Sequence, residues 1–160
     1  MKKLLAVLLL FIAWTAKAQP SYHGPETPQP VKWQSAVVAH GADSARVAYG
    51  KVLRGLLAAG YAIDKTDKEV LFVSTPPKSI DGKVFLTLNI SVAPVLGGSE
   101  VVFQGVYTWL NATTIMAHLE NRQLPAQYIN SGGSNPTQRA WDEMQRVTLT
   151  CLPATRLSYR

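Results

Sequence analysis

The feature that most constrains this chain is the alternation between Val84 and Trp109. Val84, Leu86, Leu88, Ile90 and Val92 point one way along an extended chain, and Phe85, Thr87, Asn89, Ser91 and Ala93 point the other. A period of two with one apolar side predicts a sheet with one buried face. Gly97-Gly98 divides the stretch and reads as a two-residue hairpin turn. That turn sets Leu96 against Ser99, and hence Val92 against Phe103, Ile90 against Gly105, Leu88 against Tyr107 and Leu86 against Trp109. The opposite side then carries Asn89 with Val106, Ser91 with Gln104 and Thr87 with Thr108. A slip of one residue would exchange the faces, so the consistent sorting of both strands supports the assignment.

A helix pattern precedes these strands. Tyr49, Val52, Leu53, Leu56 and Leu57 fall at i, i+3, i+4, i+7 and i+8, one stripe of a helix. Asp43 and Ser44 supply short side-chain oxygens that can cap its first turn, and Gly60 suits a left-handed residue after its last. Helix propensity is small beside the roughly 1.5–3 kcal/mol from burying each large stripe residue, so the helix requires a partner surface. Leu53, Leu56 and Leu57 are expected to pack on the sheet side holding Leu88, Ile90 and Phe103. Between helix and hairpin, Tyr61 to Asp64 and Val70 to Thr75 read as strands, Pro76-Pro77 as an interruption and Asp81-Gly82 as a second hairpin turn. This turn places Phe72 opposite Ser91.

The start of the chain predicts export. Lys2 and Lys3 precede the apolar run Leu4 to Trp14, and Ala16-Lys17-Ala18 fits the A-x-A cleavage pattern of a secretory signal peptide. The apolar run is short for a bilayer span, and no cysteine follows it, so neither a membrane anchor nor lipoprotein attachment is expected. Residues 1–18 are read as the signal, 19–30 as a tether containing Pro20, Pro25, Pro28 and Pro30, and 31–160 as one domain. The mature chain of 142 residues is enough for a real core and is placed in the periplasm or outside the cell. Without Lys2, Lys3 and Lys17, the 16 basic residues become 13 against 10 acidic, a net charge of +3. The excess is scattered, with no basic run interleaved with aromatics, which argues against nucleic acid.

Val31 to Ala39, with Trp33, Val37 and Val38, reads as a first strand. Ile115, Met116 and Leu119 suggest a short helix that Leu124-Pro125 breaks, with Ser131-Gly132-Gly133 as a joint. In the last helix Asn135 caps, Pro136 takes the first helical position and Gln138 completes a capping-box pattern. Trp141, Met144, Thr148, Cys151 and Leu152 form its apolar stripe, and Pro153 ends it. Cys151 is the one cysteine and reads as a small buried hydrophobe. Two main helices on one face of a mostly antiparallel sheet of about five strands make an α+β sandwich of two layers.

No catalytic signature stands out. His23, His40 and His118 are not spaced with other ligands as in a metal site, so no metal or cofactor is expected. No G-x-S-x-G or P-loop sequence occurs. Asp142 and Glu143 are adjacent on a helix and diverge by about 100°, which favours a solvated face over an acid/base pair.

The order of elements resembles a known group. A helix ending in Leu56-Leu57-Ala58-Ala59-Gly60-Tyr61-Ala62-Ile63, then meandering strands, then a helix bearing Ala140-Trp141, is similar to helix-grip or TBP-like envelope domains. These include the domains of the BamC lipoprotein of the outer-membrane assembly machinery and uncharacterised exported domains of Bacteroidota. The resemblance spans roughly residues 31–152 and implies a non-enzymatic accessory role. It carries no site residues, and this chain lacks the acylated cysteine of the lipoprotein members. If both helices cover the apolar side, the other keeps Thr87, Asn89, Ser91, Gln104 and Thr108, with Val106, Val70 and Phe72. That mixed surface suits an envelope protein or a glycan. The alternative is a small exported hydrolase with a non-standard polar site drawn from Asn89, Ser91, Gln104 and His118.

Overall fold

The computed structural model describes residues 29–110, 123–130, 135–153 and 155–160. The signal segment, residues 19–28 of the tether, His23, His118 and the expected helix around Ile115, Met116 and Leu119 lie outside the described residues. In chain order the elements are β1 (Ala36–Gly41), α1 (Ala45–Ala58), β2 (Lys65–Asp67), β3 (Phe72–Ser74), β4 (Lys78–Ser79), β5 (Val84–Val95), β6 (Gly98–Trp109), β7 (Leu124–Pro125), α2 (Pro136–Cys151) and β8 (Arg156–Tyr159). The described strands form one antiparallel sheet in the order β2-β3-β5-β6-β1-β8, with β4 beside β5 and β7 beside β6. The fold is α+β, with both helices packed on one sheet face and on each other. The sheet is wider than about five strands because β2, β3, β4, β7 and β8 have only two to four residues each. Segments that short carry little periodicity.

The β5–β6 hairpin has the expected faces in a different register. Val95 opposes Gly98, so Leu96 and Gly97 form the turn, and Val92 faces Val101, Ile90 faces Phe103, Leu88 faces Gly105 and Leu86 faces Tyr107. The shift from the sequence expectation is two residues, which leaves every side chain on its face. The two glycines serve different needs. Gly97 takes the turn's positive φ of 83°, which glycine adopts without strain. Gly98 already belongs to β6, and a Cβ there would strike the Gly41 carbonyl and Ala42. The β3–β5 register is as expected, with Phe72 opposite Ser91. Past it, Thr75 Oγ1 accepts from Leu88 N–H, and Pro76-Pro77 add one residue before Lys78 pairs with Leu86. Proline has no N–H for a ladder, so the bulge falls there.

β1 begins at Ala36, later than the expected Val31, and lies inside the sheet between β6 and β8, with Ala36 to Ala39 buried. The four-residue strand β8 makes it an interior strand.

α1 buries Ala45, Ala48, Tyr49, Val52, Gly55 and Leu56. Leu57, expected in the core, is 60% exposed, and Leu53 is partly buried. The stripe turns toward its small residues because α2 approaches closely: a Cβ on Gly55 would collide with Cys151. Neither expected cap bonds as proposed. Ser44 is the N-cap without a side-chain bond, and Asp43 accepts from Lys51 at 2.6 Å. At the other end Tyr61 N–H bonds Leu56 O and Gly60 N–H bonds Leu57 O, with Gly60 at φ 75°, a Schellman closure.

In α2, Asn135 Oδ1 accepts from Thr137 N–H at 2.9 Å and Pro136 opens the helix, both as expected. Gln138 does not close a capping box. Its Oε1 accepts from Ile129 and Asn130 N–H, fastening the incoming loop, and its Nε2 donates to Asp142. Trp141, Met144, Val147, Thr148 and Cys151 are buried, with Trp141 tilted against Tyr128 and Tyr159 at about 6 Å.

Candidate functional site

The sheet face away from the helices is the candidate site. Thr87, Asn89, Ser91, Gln104 and Thr108 all lie on it because β5 and β6 alternate without interruption. Their partners differ from those expected: Asn89 faces Gln104, Thr87 faces Val106, Ser91 faces Val102 and Phe85 faces Thr108. Ser91 and Gln104 are exposed, and Thr87, Asn89 and Thr108 are half-buried. Among the described residues none of the five makes a side-chain hydrogen bond, which leaves a row of donors and acceptors across the middle of the face with no described partner. Phe72, Phe85, Val102 and Val106, all half-buried, add apolar area. Toward the hairpin tip the face turns apolar: Ala93 and Val95 are exposed and Leu96 is fully so.

The β1–β8 end of this face holds a polar cluster absent from the sequence reading. His40 pairs with Glu100 and Arg156 across the sheet, and Val38 with Ser158. His40 Nε2 lies 2.9 Å from Ser158 Oγ, and His40 Nδ1 lies 3.9 Å from Glu100 Oε2. Arg160 donates to the same Glu100 oxygen at 2.8 Å. The missing signal is β8: with four residues behind Pro153, nothing in the sequence placed Ser158 beside His40.

A second charged group lies on α2, facing the end of α1 and β4. Arg146 holds Glu143 through two hydrogen bonds of 2.6 and 2.7 Å, and Tyr61 Oη donates to Glu143 at 3.0 Å. Lys78 Nζ sits 4.1 Å from the Tyr61 ring centroid, 4.0 Å from Glu143 and bonds Ala59 O. Burial works to raise the Glu143 pKa. The hydrogen bonds from Arg146 and Tyr61 and the charges of Arg146 and Lys78 outweigh it, holding the carboxyl below its ordinary value. Burial beside the same carboxylate pushes the Tyr61 hydroxyl far upward. The expected solvated face therefore fits Asp142, which is exposed, and not Glu143. The group pins α2 to the end of α1 and to β4, a structural clamp. Cys151 is buried, and burial pushes its thiol up to about 12, which leaves it a poor nucleophile.

Two grooves lie away from these face residues. One of about 560 Å³ runs between the β1–α1 loop and the end of α2, with Lys51, Arg54 and Gly55 on its wall. Another of about 410 Å³ opens beside Trp33. Among the described residues no three His, Cys, Asp or Glu side chains gather as a metal site, and no helix is long and apolar enough to cross a membrane.

The fold thus defines a class, two helices on one face of an antiparallel sheet. No family model and no curated protein matches the chain. Among solved structures it is similar to a DUF4468 family protein from Bacteroides ovatus ATCC 8483, with a TM-score of 0.38 and 10% identity over 85% of this chain and 96% of that one. A likeness at that score carries no argument about role.

Proposed function

We propose that this chain is an exported, non-enzymatic binding or accessory domain of the bacterial envelope, and that it meets its partner through the sheet face opposite the helices. The observation that carries the reading is the unspent polarity of that face. Asn89 and Gln104 stand directly opposite each other, without described intramolecular bonds, between apolar patches. Free amides fix orientation, and the surrounding Phe72, Phe85 and Val102 supply area. The signal-like Leu4 to Trp14 and Ala16-Lys17-Ala18 support the location, and the expected envelope-domain order of elements agrees with it. The test is site-directed photo-crosslinking in intact cells from position 104, with position 47 on the opposite layer as control. The reading requires a saturable adduct with one envelope component from 104 alone, abolished by Asn89→Arg. Equal adducts from both positions would remove it.

One observation favours the hydrolase alternative, the Ser158–His40–Glu100 arrangement, since a nucleophile bonded to a base beside a carboxylate is the logic of acyl transfer. Against it, Glu100 is bound to Arg160, its 3.9 Å approach to His40 is beyond hydrogen-bond range, and neither large groove reaches the cluster. Fluorophosphonate labelling separates the readings: the binding domain stays unlabelled, whereas labelling lost in Ser158→Ala establishes the hydrolase.

A further inference from the structure

We propose that the groove beside Trp33 is a saccharide-binding site, independent of the sheet face. Trp33 is a large aromatic side chain that is 63% exposed. Its backbone stands at φ 76°, a conformation that a bulky residue adopts only when its surroundings impose it. Here Trp33 N–H bonds Tyr128 O at 2.7 Å, and Lys32 Nζ lies 5.0 Å from the ring centroid. The fold therefore holds an indole out into solvent in a fixed place, which burial does not account for.

Trp33 lines a groove of about 410 Å³, within the range of small-ligand sites. Tyr107 and Thr137 also line it and join their hydroxyls, so one hydroxyl proton of the pair stays available. Asn135 Oδ1 accepts from Thr137 N–H, and among the described residues the Asn135 amide N–H groups and the Gln127 side chain make no hydrogen bond. The groove thus offers a planar apolar platform beside amides and hydroxyls that both donate and accept. A pyranose ring has the complementary form, one apolar C–H face and a rim of hydroxyls. Among the described residues no carboxylate lines the groove and Lys32 is the one charged side chain, a lining that suits neutral and acidic sugars alike.

An extended peptide fits less well. Peptides dock through backbone ladders or a polyproline groove. Beside this groove the backbone is already paired: Trp33 with Tyr128, Tyr128 with Gln34, and Ala126 with Gly105. What remains free is side-chain polarity.

The mature chain, residues 19–160, is screened on an array of neutral and acidic oligosaccharides with proline-rich peptides in parallel, and the strongest saccharide is then titrated while tryptophan emission is read. Trp33→Gly removes the ring yet suits the positive φ, so a thermal melt should show a folded domain. The expected result is a saccharide that shifts the emission and whose Kd rises at least about tenfold in Trp33→Gly and at least about threefold in Gln127→Ala, the loss of an anchor and of one polar contact. Gln104→Arg, on the sheet face, leaves that Kd unchanged. No array binding, an unchanged Kd in both groove variants, or binding of the peptides alone would overturn the proposal.

Discussion

On the helix-covered face of β5, Val84, Leu86, Leu88 and Ile90 have no exposed surface; one residue along, Thr87 and Asn89 are half-buried and Ser91 is exposed. The same strand thus carries a packed wall and an open one. On the covered side these side chains share one buried cluster with helix residues such as Leu56, Trp141 and Met144, so volume and shape are fixed by neighbours. On the open side the residues meet one another across the strands, with polar groups left unpaired among the described residues. The difference separates what the fold needs from what is free for recognition, and substitutions should report it.

The largest effect belongs to the covered side. Leu56→Ala should cost about 2–5 kcal/mol in denaturant melts, as for other buried leucines. Its neighbour Leu57, at 60% exposure, should lose less than about 0.5 kcal/mol on the same change. Comparable losses at the two positions would break the assignment of the helix stripe.

Gly55→Ala comes next. Alanine is ordinarily the better helix residue by roughly 0.5–1 kcal/mol. Here its Cβ would meet Cys151 across the helix pair, so the sign should reverse to a loss of about 1–3 kcal/mol. A stabilised variant would mean that α1 and α2 stand further apart than described.

Glu143→Gln should cost about 1–3 kcal/mol near neutral pH, because the variant loses charge-assisted bonds to Arg146. The pH dependence sharpens this. A carboxyl whose folded pKa lies below its ordinary 4.5 contributes stability above that value and loses it as pH falls through the folded pKa. Wild type should therefore lose stability below about pH 4.5 more steeply than the variant, measured by melts across an acid series.

The smallest effects on stability belong to the open face. Asn89→Arg and Gln104→Arg should each stay within about 0.5 kcal/mol of wild type, and Asn89→Arg should remove the envelope adduct formed from position 104. A large loss of stability in either would show that the face is packed, and the contrast between the two sides would collapse.

Much of the fold was legible in the sequence. The faces of β5 and β6, the Phe72–Ser91 pairing, the Asn135–Pro136 helix start and the burial of Cys151 follow from periodicity and local chemistry. The five expected face residues do share one surface. The hairpin register was not legible because either Gly97 or Gly98 satisfies a turn signal, and only the approach of Gly41 in β1 assigns Gly98 to the strand. Leu57 was misplaced because its spacing fits the stripe as well as its neighbours do, while the rotation of α1 is decided by Cys151 on a helix almost a hundred residues away.

The sequence by itself therefore determined the face of each long-strand residue and the apolar character of both helices. Side-chain period and burial free energy are properties of adjacent residues, and they survive any slip by two. The tertiary structure alone decided the register, the exposure of Leu57, the Glu143 clamp, the meeting of His40 with Ser158 and the setting of Trp33 beside Tyr107. Each depends on the distance between segments far apart in the chain, and no local pattern encodes that distance.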